Sequence, residues 1–144
     1  MTSNLQILIK LSLSLLLSGA IGFERELHKK DAGLRTHILV CVGSCLMMLT
    51  SLYIFDIYKE AVSLDPVRLA AGVITGIGFL GAGTIIRSGE AVRGLTTAAT
   101  LWLVSGVGLA IGCGFYSGAI FTTILTLFAL LILGKFEKNV IKEG

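Results

Sequence analysis

THILVCVGSCLMMLTSLYIF, residues Thr36–Phe55, contains no Lys, Arg, Asp or Glu. A helix rises about 1.5 Å per residue, so about 20 such residues cross the ~30 Å hydrocarbon core of a bilayer. Comparable runs occupy Leu5–Phe23, Val67–Ile86, Leu95–Gly112 and Phe115–Leu133, and together they fill most of the 144 residues. The chain is 54% hydrophobic and 15% charged, with a mean hydropathy of +0.88. Soluble domains carry about a quarter charged residues, so this composition excludes an ordinary water-soluble core. The expected fold is all-α, with five transmembrane helices in one domain spanning 1–144. Ser18 and Ala20 form a small-x-small pair like that of a signal-peptide cleavage site. The absence of a basic residue before Lys10 and the length of the run favour a retained first span.

Charge placement sets the expected orientation. Most of the 12 Lys and Arg fall on one side: Arg25, Lys29, Lys30 and Arg35 after the first run, Arg87 and Arg93 after the third, and Lys135, Lys138 and Lys142 in the tail. The other side has Lys59 and Arg68. The positive-inside rule then puts the N-terminus outside and the C-terminus in the cytoplasm. The net charge of +3 reflects topology and anionic lipid rather than a nucleic-acid partner.

Cys41, Cys45 and Cys113 lie within or beside apolar runs and are expected to act as small packing residues. Glycine is abundant, at 18 residues. Gly72-x-x-x-Gly76 and Gly78-x-x-x-Ala82 are small-x-x-x-small pairs of the kind that let membrane helices approach closely. The third helix is therefore expected to be the central, most contacted one, with Gly72, Gly76, Gly78, Gly81 and Gly83 as packing positions. The alternative is a helix broken at Gly76, Gly78, Gly81 and Gly83, freeing backbone groups to hold an ion. Gly76-Ile-Gly-Phe-Leu-Gly81 also matches the dinucleotide fingerprint letter by letter. That fingerprint needs a strand-to-helix turn and an acidic residue about twenty positions on, where this chain has Leu101.

The middle of each run lacks ionisable side chains, which cost about 2.5 kcal/mol or more each at the bilayer centre. Lys10, near the start of the first run, is expected to snorkel to the outer interface. Mg²⁺ takes oxygen ligands and sheds water reluctantly, and no span offers a carboxylate.

The charged residues that stand out gather on the expected cytoplasmic face. If the first helix continues past the membrane, Glu24, His28 and Asp31 share one face at i, i+4 and i+7, a metal-binding or ion-pair spacing; solvated interface residues fit the same pattern. Arg35 and Arg93 suit bidentate contacts with a carboxylate or phosphate. Thr36, Thr96 and Thr97 lie near helix starts, where a hydroxyl caps free amides or helps form an anion-friendly end. The expected functional face comprises Glu24, Arg25, Glu26, Arg35, Thr36 and His37, set against Arg87, Arg93, Thr96 and Thr97. Trp102 is expected to help anchor the fourth helix.

Gly19-Ala-Ile-Gly-Phe-Glu-Arg-Glu26, Ala32-Gly-Leu-Arg-Thr-His37, Gly76-Ile-Gly-Phe-Leu-Gly-Ala-Gly-Thr-Ile-Ile86 and Val92-Arg-Gly-Leu-Thr-Thr-Ala-Ala-Thr-Leu-Trp102 resemble, in order and spacing, the hallmark segments of the bacterial MgtC/SapB membrane proteins. The resemblance implies a multi-pass inner-membrane protein linked to adaptation to low magnesium and, in some pathogens, to survival inside macrophages. Members are often labelled magnesium transporters, while the best-known virulence member is thought to regulate other membrane machinery, including the ATP synthase. Beside longer members, the chain is expected to be a short form, ending at Gly144 without the soluble C-terminal domain that many of them carry.

The expected function is therefore non-enzymatic: regulation or sensing in magnesium homeostasis through the cytoplasmic loops. Its expected partners are the bilayer, further copies of itself and another membrane protein; no cofactor is expected, with Mg²⁺ the one ion implicated. The rival is an oligomeric transporter or channel for Mg²⁺ or another cation, built around the third helix.

Overall fold

The computed structural model describes residues 3–60, 65–89 and 91–134; Lys135, Lys138 and Lys142, counted above, lie outside them. Its helices are α1 (Asn4–Leu27), α2 (Leu34–Tyr58), α3 (Val67–Thr84), α4 (Leu95–Cys113) and α5 (Tyr116–Phe128), the last continued by a π-helical turn over Ala129–Leu133. Five spans long and apolar enough to cross a membrane result, so the protein is a multi-pass membrane protein. A short antiparallel hairpin, β1 (Ile86–Ser88) and β2 (Ala91–Arg93), separates α3 from α4.

The boundaries follow local chemistry. At the start of α1, the Ser3 hydroxyl accepts from Gln6 N and the Gln6 side chain accepts from Ser3 N, a capping box. Gly114, at φ 93°, ends α4 in the left-handed conformation. The Ser51 hydroxyl donates to the Pro66 carbonyl and ties the end of α2 to the start of α3. Successive helices alternate in direction, so the α1–α2 loop, the hairpin and the end of α5 share one end of the bundle.

The polarity of the bundle is reversed relative to a soluble protein. Leu8, Leu16, Phe79 and Phe121 are exposed, while Ser14, Ser18, Ser44, Thr123 and Thr126 are buried. Their hydroxyls donate to carbonyls four residues back in their own helices: Ser14 to Lys10 O (2.9 Å), Ser18 to Ser14 O (2.6 Å), Ser44 to Val40 O (2.8 Å). Each polar atom is satisfied within its helix, which makes its burial tolerable.

The centre is α4, with half of its span buried, against 17% for α3. This overturns the expected centrality of the third helix. A Cβ at Gly72, Gly76, Gly78 or Gly83 would meet nothing, and only Gly81 makes an ordinary contact, with Ala98. The close approach belongs instead to Gly108-x-x-x-Gly112. A Cβ on Gly108 would lie 2.2 Å from the Cys41 carbonyl oxygen, and one on Gly112 would lie 2.6 Å from Met48 Cβ and 2.9 Å from the Cys45 oxygen. The small side chains Cys41, Ser44 and Cys45 of α2 provide the facing surface; both cysteines are fully buried and free. α3 is also unbroken from Val67 to Thr84, so the fingerprint-like glycines form neither a turn nor a break.

Lys10 corrects a second expectation. It does not snorkel outward but is buried, its ammonium donating to Gly112 O at 2.8 Å. Antiparallel packing brings the last turn of α4 beside it, where the carbonyls lack helical partners and the helix dipole favours a cation. An acceptor inside the bundle is thus in reach of a side chain that would otherwise have to extend to the headgroups.

Gly108→Ala is expected to lower stability in micelles by about 1–3 kcal/mol through overpacking. Gly106→Ala, on the same helix but facing open space, should leave stability unchanged or slightly higher. Thermal unfolding followed by circular dichroism distinguishes the two; equal shifts would contradict the α2–α4 contact.

Candidate functional site: the loop and hairpin end of the bundle

The last turns of α1 carry Gly22-Phe-Glu-Arg-Glu26. A Cβ on Gly22 would stand 2.9 Å from Leu34 Cα and 3.0 Å from His37 Cβ, so glycine is what lets α2 close on α1 here. Glu24 and Arg25 form an ion pair whose side chains are only 6% and 4% exposed. Nη2 of Arg25 donates to Glu24 Oε1 at 2.8 Å and its Nε to Oε2. Neighbouring helix positions do not ordinarily face each other, so both side chains turn toward the same interior. His28 Nδ1 lies 3.0 Å from Glu24 Oε1.

α1 stops at Leu27, and Lys29 takes φ 51°. Lys29 N donates to Glu26 O and Lys30 N to Arg25 O, the paired bonds of a Schellman closure. The i+7 position therefore no longer exists as a helical one, and Asp31 leaves the face of Glu24 and His28. Among the described residues no three His, Cys, Asp or Glu side chains converge. The expected metal face of Glu24, His28 and Asp31 does not form.

Glu26 has a different task from the one expected. Its Oε2 accepts from Leu34 N at 3.0 Å and occupies the space beside Gly33, capping α2 from across the loop. The threonines are not the caps: the N-cap residues of α2 and α4 are Gly33 and Gly94, which have no side chain to cap with. Thr36 and Thr96 are exposed, Thr97 buried.

His37 is fully buried and joins α2 to α4. Nδ1 is 2.8 Å from Gly33 O and Nε2 is 3.1 Å from Thr100 Oγ1, which lies 2.9 Å from Thr97 O. A carbonyl only accepts, so Nδ1 bears the proton and Nε2 is left to accept from the threonine hydroxyl.

The hairpin separates Arg87 from Arg93, both of which belong to the expected functional face. Ile86 pairs with Arg93 and Arg87 with Val92; side chains alternate along a strand, so Arg87 and Arg93 occupy opposite faces. Arg87 Nε donates to Gly89 O at 3.3 Å. Arg93 instead lines a cavity of about 500 Å³ between the α1–α2 loop and the start of α4, with Lys29, Lys30, Asp31, Thr96 and Thr97. Arg35 is exposed and outside that lining. The two loops expected to face each other do meet, through the loop lysines rather than Arg35. Gly94 makes this possible: it sits at φ 84°, and a Cβ there would fall 1.9 Å from Thr84 O. Trp102 lies outside the site, 55% exposed on α4.

Residues 11–139 match the MgtC family model. The chain is similar to "Putative magnesium transporter YhiD" of Escherichia coli (strain K12), 45% identical over 127 residues, covering 87% of this chain and 59% of that protein. It is similar to "Protein SapB" of Bacillus subtilis, 42% identical over 131 residues, covering 88% and 56%. It is likewise similar to "Protein MgtC" of Salmonella typhimurium, 42% identical over 134 residues, covering 92% and 54%. The chain thus spans a little over half the length of these curated relatives. No solved structure matches it.

Glu24→Gln or Arg25→Gln alone should destabilise the protein by roughly 3–5 kcal/mol, because the remaining charge is left buried without its partner. The double variant should lose much less than the sum. A double-mutant cycle of unfolding in micelles measures this, and additivity would show that the pair is not coupled.

Proposed function

The chain belongs to the MgtC family, and from that premise we propose that it acts as a non-enzymatic regulator or sensor in magnesium homeostasis, through the end of the bundle that carries the hairpin. The observation that carries this is the meeting of the α1–α2 loop with the start of α4 around one polar cavity. That surface is held in place by the buried Glu24–Arg25 pair, the Glu26 cap and the His37–Thr100 bridge. Such a surface suits recognition by another membrane protein. In this proposal the membrane is the bacterial inner membrane, the N-terminus is outside, and the hairpin end is cytoplasmic, as the positive-inside rule favours. Mg²⁺ is the signal or the cargo rather than a resident cofactor, and no nucleic acid takes part.

A second proposal, a transporter or channel for Mg²⁺ or another cation, draws support from the name of the Escherichia coli relative. It also has a structural basis in the glycine face of α3, where Gly72, Gly76 and Gly83 are exposed and meet nothing. Small exposed residues on a membrane helix favour close approach of a second copy. Homo-oligomerisation through that face is proposed under either function, and a conducting path in the second would run between copies.

The regulatory proposal places Arg93 and Arg35 at the working surface. Arg93→Ala and Arg35→Ala proteins, expressed at normal levels in a strain lacking the chromosomal gene, should fail to restore growth in low magnesium. Arg68→Ala, at the opposite end, should restore it. Full restoration by both of the first two variants would remove the basis for the proposal.

A further inference from the structure

We propose that His37 is a proton-operated switch at the start of α2, with the hydroxyl of Thr100 as its reversible partner. The inference stands on the geometry of this bridge and holds whether the protein regulates or transports. Both ring nitrogens face oxygen atoms. Nδ1 is 2.8 Å from Gly33 O, and Nε2 is 3.1 Å from Thr100 Oγ1, whose single proton has a second acceptor in Thr97 O at 2.9 Å. The neutral ring spends its one proton on Gly33 O, so the Thr100 hydroxyl turns to Nε2 and leaves Thr97 O. A charged ring donates from both nitrogens. Nε2 then donates to Thr100 Oγ1, and the hydroxyl turns back to Thr97 O. The charged state makes three hydrogen bonds at the bridge and the neutral state two, and the step between them is the rotation of one hydroxyl. The bridge takes up or releases a proton with every heavy atom in place.

The ring is fully buried, and a Cβ on Gly22 would stand 3.0 Å from His37 Cβ, so α1 closes over it. What changes on protonation is therefore charge rather than position. α1 brings Glu24 and Arg25 to this region. Both carboxylate oxygens of Glu24 are already taken by Arg25, and Oε1 also meets His28. On α2 itself the neighbouring titratable groups are Arg35, which is exposed, and Cys41, a buried thiol one turn on. The one titratable side chain of α4 is Cys113, at its other end. A new imidazolium thus has no carboxylate of its own. It also lies at the end of the first turn of α2, where the helix dipole opposes a cation. The charge loosens that turn, against the hold of Glu26 on Leu34 N, and with it the loop that carries Lys29 and Lys30 to the hairpin. Acidity at this end of the bundle becomes a change in the surface that the loop presents.

The test uses the whole chain in uncharged detergent micelles with ¹⁵N-labelled histidine. The chain has two histidines, so His28→Gln leaves the ring signals of His37 alone. At high pH they should show the proton on Nδ1. On acidification they should titrate with a midpoint at roughly pH 5–8, while circular dichroism stays helical. The amide signal of Leu34 should move with the same midpoint and stay fixed when His37→Gln is added. Thr100→Val should lower the midpoint by about one pH unit, because the charged ring loses a stronger hydrogen bond than the neutral one. Thr100→Ser keeps the hydroxyl and should keep the original midpoint, which separates loss of the switch from damage to the fold. A ring that stays neutral down to pH 5 in the folded protein would overturn the proposal. So would a midpoint that ignores Thr100→Val, or a Leu34 amide that does not follow the ring.

Discussion

The backbones of α2 and α4 are in contact at Gly108 and Gly112, and the rest of the bundle is arranged around that contact. Helices in a bilayer gain little by hiding apolar side chains from equally apolar lipid, so association depends on dispersion at short range and on polar bonds between helices. Two glycines one turn apart, set against Cys41, Ser44 and Cys45, allow that range. Once α4 is fixed on α2, its last turn meets Lys10 of α1, and its first turns meet His37 through Thr100. α3 then lies against α4 at Gly81 and Ala98, leaving most of its glycine face outward.

The same geometry builds the polar end. Gly22 brings α1 within backbone distance of α2, and this encloses the Glu24–Arg25 pair. A buried pair of this kind contributes position more than net stability, since desolvation offsets much of its attraction. Glu26 draws the loop back over the start of α2, while Gly94 seats the base of the hairpin against Thr84. The result is a fixed juxtaposition of two loops that are far apart in sequence, with cations above the start of α4.

The five spans were legible because a run such as Thr36–Phe55 has only one stable place to go. Their partners were not. Gly72-x-x-x-Gly76 and Gly108-x-x-x-Gly112 are the same pattern, and which one meets a neighbour within the chain depends on the facing residues of another helix. The signal that would have helped is in α2, where Cys41, Ser44 and Cys45 put small side chains on one face. The direction of Lys10 was hidden for a similar reason, because its acceptor is a main-chain oxygen with no signature in sequence. At the site, the gathering of charge at this end of the bundle was legible in Glu24, Arg25, Glu26 and Arg93; that Glu24 and Arg25 turn inward as a buried pair was not. The chain reversal at Lys29, which removes Asp31 from the helix face and brings Lys29 and Lys30 to the cavity, was not, since glycine ordinarily marks that position. The hairpin was missed because three-residue strands carry almost no periodicity.

If the protein works through its hairpin end rather than as a conduit, it need not move ions itself. Magnesium uptake into liposomes containing the purified protein, followed with a lumenal Mg²⁺-sensitive dye beside a known channel, tests this most directly. Uptake no greater than in empty liposomes, with the channel active in parallel, is the expected result. Saturable uptake that depends on the protein would contradict it and would place the working path along α3 and between copies.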